Sequence, residues 1–176
     1  MKQKIYELLK IYSTQVNSLS LIEKYDRYHK IYKKLVFEVK QKKYNNVGFL
    51  HKLSDDIDYF AAMDDLIETN TNVFYSNIKK NKLRFHKLQS IYGEFEYYSG
   101  QRIYKNVVEV HPENMNVLVI PVQIFKDKKA VLLNKKVWKF VRNFKGIKIG
   151  IAYDFAKTSV NISDLNPIVL DEILTS

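Results

Sequence analysis

Val117-Leu-Val-Ile-Pro-Val-Gln-Ile-Phe125 is a nearly continuous apolar run, and its reading decides the fold. It is too short for an ordinary helix and rich in β-branched residues, so it reads as a strand, central and buried. Pro121 cannot donate to a ladder, which implies a bulge or an edge at that point. Around it, from about Lys105 onward, the hydrophobic period is close to two. Val107 to Val110, Asn116 to Phe125, Ala130 to Leu133 and Ile147 to Phe155 read as four strands, with Lys126-Asp127-Lys128-Lys129 as a turn. Ile147, Ile149, Ile151, Tyr153 and Phe155 alternate with Lys148, Gly150, Ala152 and Asp154, as in an antiparallel sheet with one face on the core. Lys135 to Asn143 forms a short helix between the third and fourth strands, and Ile168 to Leu174 a closing helix begun near Asn166-Pro167.

The first half has a helical character. Ile5, Leu8, Leu9 and Tyr12 share one face of a helix from about Lys4 to Val16. Ser18 or Ser20 caps a second helix running through Ile31. Lys34 to Lys40 is a strand or the end of that helix; periodicity does not decide, and its β-branched and aromatic content favours a strand. Ser54-Asp55-Asp56 opens a helix, with Ile57, Phe60, Met63 and Ile67 at helical spacing and an end near Thr69-Asn70. Short helices follow at about Val73 to Lys79 and Phe85 to Phe95, with Asn81 and Gly93 as breakers. The expected fold is α+β: N-terminal helices, then a roughly four-stranded antiparallel meander and a short C-terminal helix. One domain spans 1–176, mainly helical over about 1–100 and mainly strand over about 105–176.

Composition narrows the function. The 176 residues contain no cysteine, which excludes disulfides and thiolate chemistry and fits a reducing cytoplasm. No segment has the apolar length of a membrane span or the layout of a signal peptide. The net charge of +10 is concentrated in blocks: Lys24 to Lys43 holds eight Lys or Arg, Lys79 to Lys87 five, and Lys126 to Lys148 nine against Asp127 alone. Such blocks suit a polyanion, since cations that neutralise phosphates release counterions. Lys33, Lys34, Lys79, Lys80, Lys82, Lys135, Lys136, Lys139 and Arg142 are the candidate contacts to RNA or DNA. Tyr25, Tyr28, Tyr32 and Tyr44 among these cations offer stacking faces, although 25, 28 and 32 also make a helical core stripe.

The four histidines, His29, His51, His86 and His111, lie in no metal-binding spacing, and no metal or cofactor is expected. Asp55, Asp56, Asp58, Asp64, Asp65 and Glu68 read as a solvated helix face or an internal partner for the basic blocks. There is no P-loop, GxGxxG or GxSxG. Metal-free cleavage of RNA remains open, because it needs only a base, an acid and cations for the phosphate. His51, Lys52, Arg84, His86 and Arg102 are the candidate catalytic residues.

Leu35-Val-Phe-Glu-Val-Lys40, Val47-Gly-Phe-Leu-His51-Lys-Leu53, Ile78-Lys-Lys-Asn-Lys-Leu-Arg-Phe85 and Arg102-Ile103 follow one another in an order that resembles the phage-associated domains grouped with barnase, EndoU, colicin and RelE nucleases. The resemblance covers about Leu35 to Phe125. It implies a metal-independent ribonuclease built from N-terminal helices and a four-stranded meander. The family's histidine aligns with Asn46, so either His51 takes that role or activity is lost; the glycine of its Gly-Lys turn is Asn81. The functional expectation is a basic nucleic-acid-binding protein of a phage or mobile element, with ribonuclease activity open. The alternative is a non-catalytic interaction or inhibitor protein acting on a host nucleic-acid enzyme or defence system through a protein partner.

Overall fold

The computed structural model describes residues 1–176. Two long helices come first, α1 (Lys2–Ser18) and α2 (Leu21–Gln41). Ser20 separates them: its hydroxyl accepts the Glu23 amide N–H, while the Glu23 carboxylate accepts the Ser20 N–H, so two otherwise orphaned donors are satisfied. The expected strand at Lys34 to Lys40 is instead the last part of α2. Ile31, Leu35, Val36 and Val39 are buried at helical spacing against α3 and the final strand, and this tertiary contact overrides the β-propensity of the segment.

Strand β1 (Asn46–Phe49), helix α3 (Phe60–Glu68), strands β2 (Asn72–Lys79) and β3 (Lys82–Leu88), the hairpin β4 (Phe95–Tyr98) and β5 (Gln101–Tyr104), and β6 (Val108–Val110) follow. The second half holds β7 (Val117–Pro121), the hairpin β8 (Phe125–Lys126) and β9 (Lys129–Ala130), α4 (Lys135–Asn143), β10 (Ile147–Ala152), β11 (Ile168–Val169) and β12 (Glu172–Thr175). Seven strands form one sheet in the order β12-β10-β7-β1-β2-β3-β6. The five from β12 to β2 are parallel, β3 runs against β2, and β6 runs against β3.

The antiparallel meander is therefore corrected to a mixed sheet with a parallel centre. β7 lies between β1 and β10, and Val117, Leu118, Val119 and Ile120 are all 0% exposed. A strand covered on both faces needs no polar alternation, and a continuous apolar run of this kind is the mark of a central parallel strand. Pro121 ends the strand rather than breaking it. The helices expected at Val73 to Lys79 and Phe85 to Phe95 are corrected to the β2–β3 hairpin. Its two-residue turn, Lys80-Asn81, has φ of 49° and 63°, the left-handed pair that matches strand twist. The closing helix at Ile168 to Leu174 is corrected to β11 and β12, the latter pairing with β10.

Helices cover both faces. On β3, Phe85 packs on Phe140 of α4 with ring centroids 5.2 Å apart; its neighbour His86 pairs in register with Tyr75, whose ring lies 5.7 Å from Phe60 of α3. Adjacent residues of a strand point to opposite faces, so α3 and α4 lie on opposite sides of the sheet. α2 packs on α3 and shares its side. The chain thus leaves β1 toward one face and β7 toward the other, and these two strands are neighbours. Their carboxyl ends form a topological switch point, the place where open parallel sheets leave a crevice.

Candidate functional site

The crevice between the ends of β1 and β7 has a volume of about 470 Å³, within the range of small-molecule sites. Leu50, His51, Leu53 and Asp56 enter it from the segment after β1, and Ile120, Pro121 and Gln123 from the end of β7. The β2–β3 turn adds Lys80 and Asn81, the β4–β5 turn Tyr98 and Ser99, and the approach to α4 Val131, Asn134 and Val137. Gln101 holds the β4–β5 hairpin over the opening: its amide oxygen accepts the Ile78 N–H at 2.8 Å, and its amide nitrogen donates to the Ile78 carbonyl.

Two titratable groups are fixed inside. His51 donates its main-chain N–H to Ser76 Oγ at 2.8 Å, and its ring Nδ1 lies 2.6 Å from the same oxygen. Burial pushes the imidazole down to about 4, so it is neutral at physiological pH. Asp56 accepts the Leu53 N–H at 2.8 Å on Oδ2 and the Gln123 amide at 2.9 Å on Oδ1. Burial outweighs both hydrogen bonds and the Lys52 charge, and holds this carboxyl above the usual carboxylate range. The helix expected to open at Ser54-Asp55-Asp56 starts instead at Phe60, because the Asp56 carboxyl is bound to Leu53 and Gln123. α1 braces this segment from outside: the Tyr12 hydroxyl donates to the Asp55 carbonyl at 2.7 Å, and Ser13 Oγ donates to Asp55 Oδ2 at 3.2 Å.

The N-terminus of α4 borders the crevice but is already satisfied. Asn134 Oδ1 accepts the N–H of Lys136 at 2.9 Å and of Val137 at 3.2 Å. No glycine occurs between Gly100 and Gly146, so the approach to this helix lacks the glycine-rich turn that commonly brings backbone N–H groups close to a phosphate. No three His, Asp or Glu side chains come together in a metal-holding arrangement.

The expected catalytic residues do not converge. His51 is in the crevice, and Lys52 follows it without lining the cavity. Arg84 lies 3.7 Å from Glu109 on the sheet edge, next to a wider groove of about 900 Å³ beside α4. His86 sits on the α3 side of β3, with burial lowering its basicity. Arg102 is held between the rings of Phe60 and Phe95, 4.1 Å from each, and donates to the Tyr104 hydroxyl at 3.2 Å.

Of the expected nucleic-acid contacts, Lys82, Lys136 and Lys139 come together in one groove and the others do not. Lys33 and Lys34 are exposed on α2, where Lys34 donates to the Thr175 carbonyl at 2.6 Å. Lys79 pairs with Glu96 at 3.3 Å, Lys80 faces the crevice, and Lys82, Lys136 and Lys139 line the groove beside α4. Lys135 is exposed, and Arg142 lies over the Trp138 ring at 5.2 Å. The α2 and α4 cations belong to opposite sides of the sheet, so the two basic blocks do not join into one track. The α4 groove, with Lys82, Lys136, Lys139 and Lys145 around Phe85, Phe140 and Phe144, is larger than the crevice. Its lining holds no histidine and no buried carboxyl: Glu109 and Glu113 are exposed, and Glu109 faces Arg84. Asp56, Gln123, Ser76 and Gln101 escaped the sequence reading; Asp56 stood out there only as one of six acids.

No protein family and no curated protein matches the chain by sequence. Its fold matches solved structures. A 5,10-methenyltetrahydrofolate synthetase from Mycoplasma pneumoniae superposes with a TM-score of 0.74 at 19% identity, covering 96% of each chain. The 5,10-methenyltetrahydrofolate synthetase of Aquifex aeolicus superposes with a TM-score of 0.81 at 19% identity, covering 97% of this chain and 88% of the other. The nuclease resemblance is corrected by this likeness and by the parallel sheet, which a four-stranded meander lacks. The expectations of a nucleic-acid-binding phage protein, a ribonuclease, or an inhibitor working through a protein partner are set aside with it. No helix is long and apolar enough to cross a membrane.

Proposed function

We propose that the crevice binds a folate-class ligand and that the chain acts on it as an enzyme of one-carbon folate chemistry. The observation that carries this reading is that one switch-point crevice is lined both by a neutral imidazole, His51, held by Ser76, and by a carboxyl biased toward its protonated form, Asp56, held by Leu53 and Gln123. Support comes from the fold, shared over nearly the whole chain with proteins named for making 5,10-methenyltetrahydrofolate.

The chemistry of the lining suits such a ligand. A pteridine is a flat ring with alternating donors and acceptors along one edge. Leu50, Ile120, Val131 and Val137 offer apolar walls for the ring, while Asp56, Gln123 and His51 offer a carboxyl, an amide and an imidazole for the edge. Closing a methenyl bridge joins the second folate nitrogen to the carbon of an N-acyl group, breaks the carbon–oxygen bond and expels the oxygen as water; one of the water's protons comes from that nitrogen, and the other can come from a carboxyl whose hold on its proton burial strengthens. The reading places ring binding and proton donation in the crevice; the capped α4 is given no phosphate to hold. A protein without cysteine suits the reducing cytoplasm in which we place this activity.

Calorimetric titration with 5-formyltetrahydrofolate and with 5,10-methenyltetrahydrofolate tests binding, and near-UV absorbance of the methenyl product tests turnover. Saturable binding that Asp56→Ala weakens by about tenfold or more is expected, from loss of a hydrogen bond to a buried polar group. Absence of binding by either folate would overturn the proposal.

A further inference from the structure

We infer that Ser76 sets the position of the proton on His51, so that the crevice meets its ligand with an N–H at Nε2 and selects ligands that bring an acceptor there. This deepens the folate reading by naming the ligand edge that faces His51, and it rests on the crevice being the ligand site.

Ser76 lies on β2 and is 0% exposed. Its Oγ accepts the His51 main-chain N–H at 2.8 Å and sits 2.6 Å from His51 Nδ1. The hydroxyl carries a single hydrogen, and Nδ1 is the one acceptor within hydrogen-bond distance of it. Were Nδ1 protonated, two N–H groups would point at the same oxygen and the hydroxyl hydrogen would be buried without an acceptor, which folded interiors avoid. The hydroxyl therefore donates to Nδ1. A neutral imidazole holds one proton, which then belongs to Nε2.

Nε2 has no hydrogen-bond partner in the chain and is not fully buried, and the imidazole lines the crevice. A ligand atom opposite it meets a donor. A carbonyl, acyl or carboxylate oxygen, or an unprotonated ring nitrogen, is accepted; an amino group is refused, because two donors would face each other in a desolvated site. For a pteridine this puts the oxo or acyl edge, not the amino edge, toward His51. Ser76 acts through His51 and touches no ligand, so it is a positioning residue.

Long-range nitrogen–proton correlation spectra of the full chain, with its four histidines labelled and no ligand present, test the tautomer directly. The His51 signals are assigned by their loss in His51→Gln. At neutral pH the wild type is expected to show an unprotonated, acceptor-type Nδ1 and a protonated Nε2, and Ser76→Ala a mixture of both forms. A protonated Nδ1 in the wild type overturns the inference, as does an unchanged pattern in a folded Ser76→Ala; if that variant does not fold, the wild-type spectrum decides alone. Titration with 5-formyltetrahydrofolate is expected to be weakened about tenfold by Ser76→Ala. Failure of the wild type to bind any folate would sink the ligand reading and leave the tautomer result standing, so the two are separable.

Discussion

Gln123 donates its side-chain amide to Oδ1 of Asp56 at 2.9 Å across 67 residues of chain, and this bond joins the exits of two neighbouring parallel strands. It is one of two hydrogen bonds that favour the charged form of a carboxyl whose titration burial pushes upward.

Asp56 costs stability at neutral pH. Its folded-state titration lies above the unfolded value, so the stability it contributes is present below the ordinary carboxylate range and lost as pH rises through the folded-state value. Asp56→Asn cannot ionise, and Gln123 can turn its amide to accept from it. The variant is expected to be more stable than wild type near neutral pH, with the difference vanishing in acid. Urea denaturation at both pH values measures this; equal stability at neutral pH would show that the carboxyl is not desolvated.

His51 works in the opposite direction. Burial holds the imidazole down to about 4, against about 6.5 in an unfolded chain. The unfolded state takes up a proton that the folded state refuses, so stability is complete above the ordinary value and falls as pH drops toward the folded-state value, by on the order of 3 kcal/mol. His51→Gln is expected to lose this acid slope. Denaturation midpoints collected from neutral to mildly acid conditions would contradict the assignment if wild type and variant declined in parallel.

The brace from α1 has its own signature. Tyr12→Phe removes the hydroxyl that donates to the Asp55 carbonyl and leaves the ring, which packs near Tyr153 and Phe155. A loss of about 1 kcal/mol is expected, from one part-buried hydrogen bond. Faster amide exchange at Leu53 and Asp56, with β7 unchanged, would place the effect in the crevice segment; uniform acceleration would place it in the fold as a whole.

Gly146 precedes β10 where no side chain fits. A Cβ there would meet the Asn116 carbonyl, which is held by the Ile147 N–H at 2.9 Å, and would come within 2.8 Å of the Phe144 ring. Gly146→Ala is expected to destabilise the protein by about 1–3 kcal/mol, because backbone rather than a flexible side chain would have to move. A midpoint unchanged in thermal denaturation would show that the β7–β10 approach is looser than this geometry.

Local signals were legible wherever the determinant is local. The helix at Lys135–Asn143 and the Ser20 cap follow from residues within a few positions of one another. The centrality of Val117 to Ile120 follows from their uninterrupted apolar character. His51 stood out by its chemistry, as a histidine beside a basic residue on a helix approach. What the amino acids alone determined is therefore a set of apolar segments, a cap at Ser18 or Ser20, the turn at Lys126 to Lys129, and the absence of cysteine chemistry.

The tertiary structure decided which segments pair and in which direction. Short apolar runs such as Val73 to Lys79 and Ile168 to Leu174 have no preference strong enough to choose strand over helix until a neighbouring strand offers its backbone, and period two is the same in parallel and antiparallel ladders. The partners of the crevice lie far apart in the chain: Ser76 is 25 residues from His51, and Gln123 is 67 from Asp56. No spacing rule reaches across such separations. Charge misled for the same reason, because the basic blocks of α2 and α4 went to opposite faces of a sheet whose strand order no charge pattern specifies. The shift of His51 and Asp56 away from their ordinary ionisation exists only once β1 and β7 lie side by side and exclude water between their ends.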